Sequence, residues 1–375
     1  MGLGTNTLGY NHPLVNEAVV QAVNDGNMST LNCPEEVFLA EKLISIHPWA
    51  DMVKFARTGG EANAMAIRIA RAYSKKDNIA ICGYHGWHDW YLATNLSDEN
   101  NLDTHLLPGL ATDGVPKYLK NTVFPFQYND IESLENLIKK NDIGIIKMEV
   151  SRSTLPNKDF IFKIRELADK NSIVLIFDEC TSGFRQTYGG LHKELNINPD
   201  IAIFGKALGN GYAITSVIGR REVMDVAQNT FISSTFWSEK IGYVAGLKTL
   251  EVMDDIKSWD TITNIGRNIS KKWLDLSKKT GLNIDITGLP ALTGFKMNSK
   301  NFNLYKTYIT QEMLKKNILA TNTIYICIEH KEDIVEEYFH YLEKIFITIK
   351  ECEDGRDIQK LLEVPEAYVG FKRLN

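Results

Sequence analysis

Lys206 lies in the run Pro199-Asp200-Ile201-Ala202-Ile203-Phe204-Gly205-Lys206-Ala207-Leu208-Gly209-Asn210-Gly211, directly after an apolar stretch and before a glycine-spaced turn. This order predicts an amine at the carboxyl end of a strand, the edge of an open α/β sheet where ligands gather. A lysine placed there, once its surroundings lower its pKa, can shed its proton and attack a carbonyl. The plainer reading is a surface lysine. A Walker phosphate loop would need glycine five residues before the Gly-Lys pair and Ser or Thr after the lysine. Asp200 and Ala207 stand at those places, which excludes it. The opening Gly2-Leu3-Gly4 has Thr7 where the dinucleotide fingerprint requires its third glycine, so that reading fails too.

Asp178 ends the apolar run Ile173-Val174-Leu175-Ile176-Phe177. A carboxylate at such a strand tip is costly unless a cation meets it. A protonated pyridine nitrogen would serve, and Asp178 would then keep that ring charged and able to accept electrons. The alternatives are a cap on the next turn or a pair with Arg185. Thr58-Gly59-Gly60 precede a helical pattern, so free amides and a positive dipole end would face a phosphate there, unless the glycines only make a tight turn. Tyr84-His85-Gly86-Trp87-His88 offers an aromatic platform with a glycine that permits close approach. Cys82, His85 and His88 have no fourth ligand and no zinc spacing, so no metal is expected. Thr235, in Ser234-Thr235-Phe236-Trp237, either binds phosphate or caps a helix starting near Ser238. Glu149, at a strand end, is either a site carboxylate or a structural hydrogen-bond partner. Arg57, Arg152 and Arg185 compete for any substrate carboxylate, and the sequence singles out none.

The elements that must position these residues alternate β-branched runs with helical patterns, which predicts an α/β fold built through crossover helices. Helices are expected over Leu14–Val23, Pro34–Ile46, from Thr58 onward with Ala62, Met65, Ala66, Ile69, Ala70 and Tyr73 on a buried face, and from Ser238 to about Met253. Strands are expected at Met52–Ala56, Ile79–Cys82, Gly144–Glu149, Ile173–Phe177, Ile201–Phe204 and Thr215–Ile218, in one large sheet. Asn95–Lys120 reads as a long loop near the site. A large domain, 1–253, is followed by a smaller α+β domain, 254–375, with a strand at Ile324–Ile328 and a helix from Glu332 to about Lys350.

The chain has 375 residues, 44% of them hydrophobic, and a net charge of 42 − 47 = −5 without a basic block. No nucleic-acid or anionic-membrane partner is therefore expected. Mean hydropathy is −0.20, and neither a bilayer-spanning run nor a leader is evident, so a soluble cytoplasmic protein is expected. Cys33, Cys82, Cys180, Cys327 and Cys352 form no CxxC pair and read as reduced thiols.

The order of these pieces, phosphate turn, aromatic turn, carboxylate strand and lysine strand, resembles the class III aminotransferases of the pyridoxal-phosphate fold-type I superfamily. The resemblance rests on Thr58-Gly59-Gly60-Glu61-Ala62, Tyr84-His85-Gly86, Asp178 through Arg185, Pro199 through Gly211, and Thr235, and covers most of the chain. The glutamate-1-semialdehyde aminomutase branch looks closest, through Tyr188-Gly189-Gly190 and Gly370-Phe371-Lys372-Arg373-Leu374. The resemblance implies a large, mostly parallel sheet with flanking helices, a smaller C-terminal α+β domain and pyridoxal 5'-phosphate as cofactor. It implies that Lys206 is the Schiff-base lysine and the base of the reaction, and that Asp178 is the pyridinium partner. Gly59 and Gly60 match the phosphate turn and Tyr84 the ring that stacks on the cofactor. Thr235 matches a threonine that reaches the neighbouring subunit's phosphate, which implies a homodimer with sites at its interface. The implied activity is transfer of an amino group from a small donor to an aldehyde or ketone through pyridoxamine phosphate. Intramolecular aminomutase transfer, and a fold retained for binding without turnover, are the other readings. Two departures stand out. Family members usually carry a pocket-closing segment before Gly9-Tyr10-Asn11-His12-Pro13, whereas this chain starts only a few residues earlier, so a differently built pocket is expected. Bulky Phe236 and Trp237 replace the aminomutases' small residues, which points away from aminomutase specificity.

Overall fold

A computed structural model of the chain describes residues 2–105, 107–151 and 156–371. Arg152 and the Lys372-Arg373-Leu374 end of the aminomutase-like motif lie outside the described residues. Seven strands, β1 (Met52–Ala56), β2 (Asn78–Cys82), β3 (Val123–Pro125), β4 (Ile143–Glu149), β5 (Val174–Asp178), β6 (Ile201–Phe204) and β7 (Thr215–Gly219), form one sheet in the order β1-β7-β6-β5-β4-β2-β3. The pairs β2–β3, β2–β4, β4–β5 and β5–β6 are parallel. β7 runs antiparallel to both β6 and β1. The crossover pattern read from the sequence does not hold for β7, because residues 205–214 are too few to carry a crossover helix back along the sheet and the chain simply reverses.

Alternate residues of the central strands feed two apolar layers. After the helices α1 (Pro13–Asn24) and α2 (Pro34–Ile46) comes α3 (Gly59–Ser74), against which Ile79, Ile81, Ile145, Val174 and Ile176 pack, while Ala80, Met148, Leu175 and Phe177 pack with Phe160, Ile161 and Ile164 of Lys158–Lys170. α3 starts on a reciprocal cap, with Glu61 N donating to Thr58 Oγ1 at 3.3 Å and Thr58 N donating to Glu61 Oε2 at 3.0 Å. Its predicted inner face is buried except for Tyr73, which lies in the last turn and is exposed.

A third core joins Leu8, Val15, Leu39 and Leu43 to Trp273, Phe295 and Phe346, so the first fifty residues pack against the last hundred or so. The C-terminal part holds a three-stranded antiparallel sheet: β8 (Ile284–Leu289), β9 (Leu292–Met297) and β10 (Thr323–Tyr325). β10 is shorter than the predicted Ile324–Ile328, but Ile326 N donates to Ala291 O and Ile328 N to Thr7 O, which ties this part to the N-terminal segment. The helix predicted from Ser238 begins at Lys240 and runs to Ile256. No helix among the described residues is long and apolar enough to cross a membrane.

Candidate active site

The carboxyl ends of the parallel strands bring the sequence-distant residues together. Glu149, ending β4, lies opposite Asp178, ending β5. β2 leads through Gly83 to Tyr84 and His85, and β6 leads through Gly205 to Lys206. Lys206 holds a left-handed backbone, φ +47°, a conformation non-glycine residues adopt at a cost. Its Nζ donates to Thr181 Oγ1 at 2.9 Å, and the same hydroxyl donates to Glu149 Oε1 at 3.4 Å. Glu149 Oε2 accepts from Tyr84 N at 3.0 Å. Glu149 is thus the strut that joins the lysine turn to the aromatic turn.

Asp178 is buried and fully engaged. Its Oδ1 accepts from Cys180 N at 3.1 Å, its Oδ2 from His85 Nδ1 at 2.9 Å, and Lys147 Nζ stands 3.7 Å from Oδ2. The carboxylate therefore does cap the following turn. It does not pair with Arg185, which donates from Nε to Thr181 O at 2.5 Å and from Nη2 to Gly4 O. Burial alone would raise the Asp178 pKa, but the Lys147 charge and the His85 hydrogen bond outweigh it and hold the carboxyl well below its usual range. Burial, helped by the neighbouring Lys147 charge, brings His85 down to about 4, so it faces Asp178 as a neutral imidazole.

The Thr58-Gly59-Gly60 turn lies beside these groups. Gly59 and Gly60 are the first two residues of α3, and their amides head a helix of 16 residues. A Cβ on Gly60 would come within 2.6 Å of His88 Cε1, and one on Gly86 within 3.2 Å of Gly60 Cα. The backbone approach needs both glycines, and Gly86 also has φ +98°. Thr215 Oγ1 donates to Thr58 O at 3.2 Å, and Cys180 Sγ lies 3.7 Å from where a Gly59 Cβ would be. We expect Gly86→Ala to lose roughly 1–2 kcal/mol in urea denaturation, through the left-handed strain and the clash with α3. An unchanged midpoint would show that the turn is looser than described.

Thr235 stands apart on an exposed 3₁₀ turn, Thr235–Ser238. The capping alternative fails, because the following helix starts at Lys240 with Glu239 at its cap position. Arg57 anchors this turn: its Nη2 donates to Trp237 O at 3.1 Å and Glu239 O at 2.7 Å, and its Nε to Glu239 Oε2 at 3.3 Å. That use makes Arg57 a brace for the turn. Tyr84 is half-buried and meets Tyr91 edge-on, with centroids 5.8 Å apart. The long loop does reach the site, since Gly83 N donates to His105 Nδ1 at 3.0 Å. Two neighbours of Asp178 escape the sequence reading, Lys147 and the role of His85. A lone lysine inside the run Ile145-Ile146-Lys147-Met148 is the signal that could have found the first.

These residues suit pyridoxal phosphate: a helix start free of side chains for the phosphate, a buried ionised carboxylate for the ring nitrogen, and an amine at the adjoining strand end. The family profile "Aminotransferase class-III" matches residues 1–327. The chain is 31% identical over 345 residues to the 3-aminobutyryl-CoA aminotransferase of Cloacimonas acidaminovorans, covering 88% of this chain and 79% of that protein. It is 35% identical over 265 residues to a glutamate-1-semialdehyde 2,1-aminomutase of Sulfolobus acidocaldarius, covering 68% and 61%. Its fold superposes on an omega-transaminase from Sphaerobacter thermophilus with a TM-score of 0.84 at 23% identity, covering 93% of this chain and 85% of that one. The chain belongs to the class III aminotransferases, pyridoxal 5'-phosphate enzymes that move an amino group from an amino donor to a carbonyl acceptor.

Proposed function

We propose that this aminotransferase works on separate donor and acceptor molecules, with Lys206 as the amine that holds the cofactor. The observation that supports Lys206 in this role is the convergence, at one sheet edge, of Lys206 Nζ on Thr181 Oγ1 with the buried Asp178 carboxylate and the glycine-headed start of α3. Gly59 and Gly60 would receive the phosphate, Tyr84 would lie against the ring, and Asp178 would meet the ring nitrogen. When bound, the cofactor supplies a carbonyl carbon that takes up the donor's nitrogen and a cationic ring that draws electrons from the bond being broken. As a free amine, Lys206 Nζ would take the proton from the donor carbon and pass it to the carbon that took up the nitrogen, while the Thr181 hydroxyl orients the amine. Asp178 keeps a negative charge beside the ring throughout. The bulk of Phe236 and Trp237 supports release of a free product over retention of one carbon skeleton. A screen of amino donors against the yellow enzyme, following conversion to the pyridoxamine form, tests the reading. Strict retention of ¹⁵N within one molecule would overturn it in favour of intramolecular transfer.

A large cofactor domain over 1–253 and a smaller one over 254–375 fit the break between helices at Lys257. The unpaired thiols fit a reducing compartment such as the cytoplasm. The exposed Phe231 and Phe236 that flank Thr235 support a homodimer in which Thr235 reaches the partner's phosphate. Thr235→Ala is then expected to raise the Kd for the cofactor about 10-fold, the loss of one hydrogen bond to a charged group. Mixed with a Lys206→Ala protein, it should regain sites of normal affinity and activity, because one site of each heterodimer is then intact. Absence of complementation would place Thr235 in its own subunit's site or outside any site.

A further inference from the structure

β4 is buried at every position, and Lys147 sits in its interior with no exposed side-chain surface. Its Nζ has no hydrogen-bond partner among the described residues, and 3.7 Å separates it from Asp178 Oδ2. The register explains the meeting. Lys147 lies opposite Ile176, two pairs back from Glu149 opposite Asp178, and alternation puts Lys147 and Asp178 on the same face of the sheet, the face covered by α3. An aliphatic side chain would fill this strand at less cost than a buried ammonium.

The other titratable groups facing Lys147 are His85 from the β2 side, Glu149 on its own strand, and Cys180 after β5. Burial lowers the Lys147 pKa, against the opposing pull of Asp178, Cys180 and Glu149. Burial also raises the Cys180 thiol, and His85 is neutral, so Lys147 is the cation against which Asp178 stays ionised.

We propose that Lys147 is a positioning residue acting through Asp178: its ammonium fixes the carboxylate in its ionised form before the cofactor arrives, and then shares that charge with the cofactor's ring nitrogen. The second half rests on the reading of Asp178 as the ring partner. The ring nitrogen then holds its proton less tightly than it would against Asp178 alone, because two cations lean on one carboxylate. Lys147 thereby tempers the electron sink that Asp178 sustains.

The test has a cofactor-free arm and a holoenzyme arm. In the apoprotein, Asp178→Asn strands a buried cation and should lower Tm by roughly 5 °C or more, and adding Lys147→Met should restore most of that loss. A double variant that melts no higher than Asp178→Asn alone overturns the pairing. In the holoenzyme, Lys147→Met removes a nearby positive charge and should raise the pH midpoint of the visible cofactor band by roughly half a unit or more. Lys147→Gln should do the same if charge rather than shape is responsible. An unchanged midpoint in both neutral variants overturns the charge sharing. Should Asp178→Asn itself leave the midpoint unmoved while the apoprotein arm succeeds, the ring-partner reading is what fails, and the charge sharing falls with it.

Discussion

Lys206→Ala is expected to abolish the borohydride-reducible link between protein and cofactor and to lower kcat by at least about 10⁴-fold. On the proposed role of Lys206, two separate functions would disappear with one amine: the covalent hold and the base that shuttles the proton. The fold should survive. Alanine inherits the left-handed φ of +47° that position 206 already has, so the backbone strain is unchanged. The Nζ–Thr181 bond is one part-buried hydrogen bond, about 1 kcal/mol in net stability. A variant that melts near the wild-type temperature but leaves its cofactor dialysable after borohydride treatment is the expected result. Covalent retention of the cofactor without this amine would transfer the role elsewhere and dismantle the site as described.

The strand-end residues are legible in the sequence because each carries a local mark. Asp178 and Lys206 end apolar runs, and Gly59 and Gly60 open a helix whose cap, Thr58 with Glu61, can be read from spacing alone. What is not local stays hidden. The direction of β7 depends on how short 205–214 is relative to a crossover, and the run Thr215–Ile218 reads the same in either direction. Asp178 demands a cation, and Lys147 in an apolar strand demands an anion, yet nothing in the sequence joins the two demands. They meet only once β4 and β5 are known to be neighbours with Lys147 opposite Ile176. Thr235 fails as a cap for a similar reason: the helical periodicity extends back toward Ser238, but Thr235–Ser238 closes as a separate 3₁₀ turn, braced from a distance by Arg57.

Asp178→Asn carries the second large expected effect, on the rate and on the pH dependence of stability. On the proposed role of Asp178, the ring nitrogen would lose the charge that keeps it protonated, and kcat should fall roughly 10³-fold, the scale of removing one preorganised electrostatic contact from a buried site. A cofactor analogue methylated at the ring nitrogen carries its positive charge without a counter-ion and should recover part of that loss. A general folding defect would not be rescued in this way. The stability profile gives an independent reading. Asp178 has a depressed pKa in the folded protein, so its contribution is fully present above the unfolded-state value near about 4 and disappears as pH falls through the lower folded value. His85 is also depressed, to about 4, so the unfolded chain takes up that proton first and stability declines from roughly pH 6.5 downward until the folded imidazole protonates as well. Wild-type protein should therefore lose stability in two acid steps, and Asp178→Asn should retain the upper, histidine step while its lower step shrinks to what other depressed carboxyls such as the hydrogen-bonded Glu179 contribute. If urea titrations of the variant still show the lower step at full size, another carboxylate carries it, and the Lys147–Asp178–His85 cluster is not the acid-sensitive centre of the fold.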